Sequence, residues 1–97
     1  MQKGRQKNEI MLLCERYVAL LLIRILDSSN PVKLNDLSDI VTSFRTLDAL
    51  TERMAAEGII SKKLERRNYV TTLLELTPKG KAIAEKLKEA ADIFQSS

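Results

Sequence analysis

The chain has no histidine and no tryptophan, a single cysteine, and only two tyrosines and two phenylalanines in 97 residues. Without histidine, the side chain best suited to proton transfer near neutral pH is missing, and so are the usual zinc ligand sets. One cysteine, Cys14, excludes an internal disulfide and a cysteine-based metal cluster. It stands among Met11, Leu12, Leu13 and Val18, where a buried thiol acting as a small hydrophobe is expected. A redox sensor at Cys14 lacks a neighbour that would make a thiolate. Three glycines and two prolines leave no glycine-rich phosphate loop, no internal repeat and no low-complexity tract. No paired carboxylates fall in a plausible cleft, so catalysis is not expected, and neither is a cofactor or a metal. A long uninterrupted apolar run is also missing. The stretch Ile10–Leu26 is broken by Glu15, Arg16 and Arg24 and makes a poor membrane span. No signal peptide is evident, and the cytoplasm is the expected location.

What is present is an ordinary globular composition, 44% apolar, in a length that makes one domain. A domain this small is marginal alone, and oligomerisation is a usual remedy. The net charge of +3 is unevenly placed. Residues 61–68 hold Lys62, Lys63, Arg66 and Arg67 against Glu65, a net +3, and residues 1–7 hold Lys3, Arg5 and Lys7, another +3. The remainder therefore sums to −3. Basicity confined to two short places is the pattern of an electrostatic footprint, with a solvated hairpin and tail as the bland alternative.

Residues 1–7 read as a flexible basic tail and residues 8–97 as the folded domain. Asn8 is placed to cap a helix that runs to about Ser28 and is stopped by Ser29-Asn30-Pro31. Glu9, Arg16, Arg24 and Asp27 share one narrow arc of its wheel, and most of the remaining circumference is apolar. One face could pack on its own domain and the other on a second subunit; the alternative is a central helix wrapped by its own chain. Val32–Leu34 reads as a short strand or an extended entry, followed by a short helix over roughly Asn35–Val41. Thr42-Ser43 supplies a cap for the next helix, Phe44–Glu57, with Leu47, Leu50, Thr51 and Met54 on its buried side. Gly58 is placed to end that helix in the left-handed conformation. Beyond it the pattern turns β-like, with arms through Lys62–Glu65 and Tyr69–Leu76 and a turn at Arg66-Arg67-Asn68. Leu74 and Leu76 should face the core. Thr77 caps the last helix and Pro78 takes its first position. Gly80, Ile83, Ala84, Leu87, Ala91 and Phe94 form one stripe, suited to closing the domain or, as favoured here, to packing against the first helix in a dimer.

These elements give an α+β domain, mainly α with a small β-hairpin. Leu34-Asn35-Asp36-Leu37-Ser38-Asp39-Ile40, the run Thr46-Leu47 through Met54-Ala55-Ala56-Glu57-Gly58-Ile59-Ile60, and Leu76-Thr77-Pro78-Lys79-Gly80-Lys81-Ala82-Ile83 follow one another in a distinctive order. In them the chain, from about Tyr17 to Leu87, resembles winged helix-turn-helix transcription regulators of the MarR and PadR kind. The resemblance implies long N- and C-terminal helices, residues 8–28 and 78–95, that join two copies into a homodimer on double-stranded operator DNA. It further implies a recognition helix presenting Ser43, Arg45, Thr46, Ala49 and Arg53 to the major groove, and a wing reaching the minor groove with Lys62, Lys63, Arg66, Arg67 and Asn68. A small-molecule effector is left open, and no residue indicates one.

Two features depart from that pattern. The segment Lys33–Glu57 holds three basic and five acidic residues, a net −2. Asp48 sits beside the expected contact positions, where it could accept from a cytosine amino group or, as preferred here, pair with Arg45 or Arg53. The acidic balance supports an alternative function, a winged-helix protein-interaction module within a transcription or replication assembly.

Overall fold

Val18, Leu21, Leu22 and Ile25 recur at the spacing that puts them on one side of a helix, and in the computed structural model that side of helix α1 (Val18–Asp27) is buried. The structure describes residues 12–28, 31–66 and 69–96. The basic tail, the Asn8 cap, the Ser29-Asn30 stop and the turn residues Arg67 and Asn68 lie outside the described residues.

The expected continuous first helix is corrected by the structure. Residues 12–14 are helical, but the helix breaks at Glu15-Arg16-Tyr17, and Tyr17 takes the left-handed conformation with φ 78°. Two tight turns make the break, Glu15 N donating to Leu12 O at 3.1 Å and Val18 N to Glu15 O at 3.2 Å. The physical reason lies in the core. On a straight helix Leu12 would stand roughly 130° round from the Val18–Ile25 stripe. The break swings it inward, and Leu12 is buried in the same cluster. It also turns Cys14 outward, so the thiol expected to be buried is exposed.

Strand β1 (Val32–Lys33) leads into a single 3-10 turn, Leu34–Leu37, which starts one residue earlier and ends sooner than the short helix expected over Asn35–Val41. Three residues per turn superpose Leu34 on Leu37, and both are buried. Helix α2 (Phe44–Ala56) starts on Ser43, whose hydroxyl accepts from Thr46 N at 3.3 Å. Its inner side is Leu47, Leu50, Thr51 and Met54. Thr51 is buried without an orphaned hydroxyl, because it donates to Leu47 O at 2.9 Å. Gly58, at φ 79°, closes the helix: Ile59 N reaches Met54 O at 3.1 Å and Gly58 N reaches Ala55 O at 3.0 Å, the paired bonds of a Schellman end.

Strands β2 (Ile60–Arg66) and β3 (Val70–Leu76) form the hairpin, and β1 joins the far edge of β3, giving the antiparallel order β1-β3-β2. The register opposes Ile60 to Leu76, Lys62 to Leu74 and Arg66 to Val70. Side chains alternate across a sheet, so Lys62 and Arg66 share the face of the buried Leu74, and Lys63 stands on the other. Leu74 is fully buried and Leu76 packs at the margin of the core.

Thr77 joins the hairpin to helix α3 (Pro78–Ser96). Its hydroxyl donates to Gly58 O at 2.6 Å and accepts from Gly80 N at 3.0 Å, while Thr77 N donates to Ile59 O at 3.2 Å. Gly80 presses so closely on this junction that a Cβ there would lie 1.8 Å from Ile59 O. The end of α2, the root of the wing and the start of α3 are thus one hydrogen-bonded knot. Along α3 the apolar stripe divides. Gly80 and Ala84 are buried and Ile83 and Leu87 pack on the core, so this half closes its own domain. Farther on, Ile93 and Phe94 are exposed. Lys88 ties α3 to α1 through Asp27 at 2.6 Å.

Candidate nucleic-acid interface

Helix α2 buries one stripe and turns Arg45, Ala49, Glu52, Arg53 and Ala56 outward, all exposed. A different element closes on each flank. On one side the wing descends, and Lys62 reaches Asp48 Oδ1 and Glu52 Oε2, each at 3.0 Å. On the other side the break at residues 15–17 approaches, and Glu15 accepts from Arg53 at 3.4 Å. The helix therefore stands between two ionic ties with its outer strip open.

The ties correct one sequence-based expectation and bear on another. Asp48 pairs with Lys62 of the wing rather than with Arg45 or Arg53. The register explains this: Lys62 lies opposite Leu74 on the core face of the hairpin and is carried against α2. Lys62, expected as a DNA-facing cation, has a side chain only 12% exposed and engaged by two carboxylates. Lys63 and Arg66 are exposed on the wing.

The ties also account for the acidic balance of Lys33–Glu57. Asp39 is gripped by Arg24 through two hydrogen bonds, at 2.6 and 3.1 Å. The hydrogen bond from Arg24, more than its charge alone, holds the Asp39 carboxyl below the usual carboxylate range, and the same bond raises the guanidinium. Asp39, Asp48 and Glu52 are all matched by cations from outside the segment, Arg24 and Lys62. Arg45 makes no ion pair among the described residues and is exposed.

Ser43, Arg45, Thr46, Ala49 and Arg53 all line one cleft of about 570 Å³, so the structure brings the five expected recognition-helix positions together. The opposite wall holds residues that sequence reasoning missed: Glu15, Arg16 and Tyr17. The Arg16 guanidinium lies 5.6 Å from the centroid of the Tyr17 ring. Their signal was a charged pair interrupting an apolar run: Arg16 fits the polar arc of an unbroken helix, whereas Glu15 falls outside it. Among the described residues no group of acidic, cysteine or histidine side chains could hold a metal ion, and no helix is long and apolar enough to cross a membrane.

No family model and no curated protein matches the sequence. Solved structures do match in shape. A protein of Archaeoglobus fulgidus, AF1382, superposes with a TM-score of 0.74 at 23% identity, covering 89% of this chain and 96% of its own. A Porphyromonas gingivalis W83 protein assigned to the MarR family of transcriptional regulators gives a TM-score of 0.74 at 18% identity, covering 92% and 87%. YodB of Bacillus subtilis, in its diamide-treated form, gives 0.69 at 19% identity, covering 91% and 87%. The chain thus shares the winged-helix fold of these proteins.

Proposed function

We propose that the protein is a sequence-specific, double-stranded DNA-binding transcriptional regulator that works in the cytoplasm as a homodimer. Helix α2 enters the major groove and the basic wing lies at the adjacent minor groove. The observation that carries this reading is the open outer strip of α2, where Arg45 and Ala49 stand clear while the neighbouring carboxylates are tied to Lys62. Arg45 is the base reader, since a guanidinium can grip a guanine edge through two hydrogen bonds. Lys63 and Arg66, with Arg67 and Asn68 beyond the described residues, hold phosphates or enter a narrow minor groove. Lys62 sets the angle of the wing and does not itself contact DNA. Ile93, exposed beyond the part of α3 that closes the domain, and Leu20, exposed on α1, support a subunit interface there. A two-fold dimer would select a palindrome with half-sites about one helical turn apart.

Selection of bound sequences from random duplexes, followed by fluorescence anisotropy across a salt series, tests this reading. It expects a palindrome bound at about 10⁻⁸ M or tighter near physiological salt. Absence of any enriched sequence, with binding no tighter than micromolar and unchanged in Arg66→Ala, contradicts it.

A second reading draws on exposed Leu64 and Val70, which the register places on one face of the wing. They suit contact with another protein in a transcription or replication assembly. Recovery of a stable protein partner, together with no selected DNA, would favour that module.

A further inference from the structure

The cleft beside α2 is lined by three arginines and one glutamate, and one of those arginines does not belong to the helix-turn-helix. Arg16 is delivered by the break at residues 15–17, where Tyr17 holds a left-handed backbone conformation that a bulky residue rarely adopts. The break brings Arg16 within one cavity of Arg45 and Arg53, with the hydroxyls of Thr42, Ser43 and Thr46 alongside. Guanidinium and hydroxyl donors converging in an open cleft match phosphate oxygens.

The position relative to α2 says which phosphate. An α-helix with its side chains is about 10–12 Å across and fills a major groove about 12 Å wide. Whatever flanks such a helix therefore faces the sugar-phosphate backbone bordering the groove. The wing occupies one flank through Lys62, and the cleft opens on the other. Resting on the DNA-binding reading above, we propose that residues 15–17 form a third DNA-contacting element, in which Arg16 holds a backbone phosphate across the groove from the wing.

Glu15 has the opposite effect. It adds the cleft's single negative charge and occupies Arg53 at 3.4 Å. Both partners are substantially exposed, with side chains 53% and 38% accessible, so the pair exchanges readily with solvent. Glu15 therefore opposes phosphate entry and restrains Arg53, and removing its charge strengthens binding.

The experiment is anisotropy on the selected duplex and on an unrelated one, with Arg16→Ala, Arg16→Lys, Glu15→Gln, Arg66→Ala, and Lys86→Ala as a charge control on the exposed side of α3. Thermal melting of each variant checks the fold. Arg16→Ala should weaken binding about fivefold near physiological salt and reduce the salt slope by about one, equally on both duplexes. Arg16→Lys should restore most of the loss, and Glu15→Gln should tighten binding. If Arg16→Ala matches Lys86→Ala, or Glu15→Gln does not tighten binding, while Arg66→Ala still weakens it, this inference falls and the DNA-binding reading stands. If no duplex is bound above a micromolar background and Arg66→Ala changes nothing, both fall.

Discussion

Gly80 has no space for a side chain, because an added methyl would lie 1.8 Å from the carbonyl oxygen of Ile59. Backbone, not a flexible side chain, would have to move. Gly80→Ala should destabilise the domain by about 3 kcal/mol, the upper end of overpacking costs, as read from urea unfolding. An unchanged midpoint would show that the knot around Thr77 yields. Asp39 gives a pH effect of defined sign. Its folded-state pKa is held down by Arg24, so its contribution to stability is complete above the ordinary carboxylate range and is lost as pH falls through the lowered value. Asp39→Asn should therefore lower stability at neutral and alkaline pH and flatten the acid limb of the stability curve, the two proteins converging at low pH. The effect should shrink at high salt, since the pair is exposed. Thr77, Gly58 and Ser43 were legible from sequence because their chemistry is local: a hydroxyl before a helix, a glycine after one. Tyr17 was not, because nothing local asks tyrosine for positive φ; the demand comes from burying Leu12.

The element scale shows the same division. Helix α2, the hairpin and α3 follow their periodicities closely, so the frame of the winged helix was legible. The break in the first helix was not, since no glycine or proline marks it. The short helix expected over Asn35–Val41 is a 3-10 turn over Leu34–Leu37, whose three-residue repeat sets both leucines into one core. Charge pairing between elements was the least legible feature. Whether Asp48 meets Arg53 or Lys62 depends on hairpin register against α2, which no single-strand pattern contains. The tether formed by Lys62 has a testable consequence. Lys62→Ala should speed amide exchange along β2 and β3 and weaken DNA binding without lowering the salt slope, because Lys62 neutralises protein carboxylates rather than phosphates. Lys63→Ala should lower the slope by about one and leave exchange unaffected. A lowered slope in Lys62→Ala would place that ammonium on the DNA.

At the scale of the whole molecule, exposed Lys63 and Arg66 stand on the wing side of α2 and Arg16 on the other, and Asp39, Asp48 and Glu52 are held in ion pairs. This removes the main objection raised by the net −2 of the helix-turn-helix segment. The long C-terminal helix divides into a half that completes the core and a half that carries exposed Ile93 and Phe94. Under the proposed dimer, Ile93→Asp should shift sedimentation toward a monomer and cost DNA affinity, while leaving the melting temperature of dilute protein nearly unchanged; no shift would contradict a subunit interface on this face. The most direct test of the central claim is the affinity of wild type and Arg45→Ala for the selected palindrome and a scrambled duplex near physiological salt. The account predicts a clear preference for the palindrome, and Arg45→Ala should lose about 1–3 kcal/mol on it and much less on the scrambled duplex. Equal binding of the two duplexes by wild type, or an equal loss on both in Arg45→Ala, would contradict sequence reading by α2.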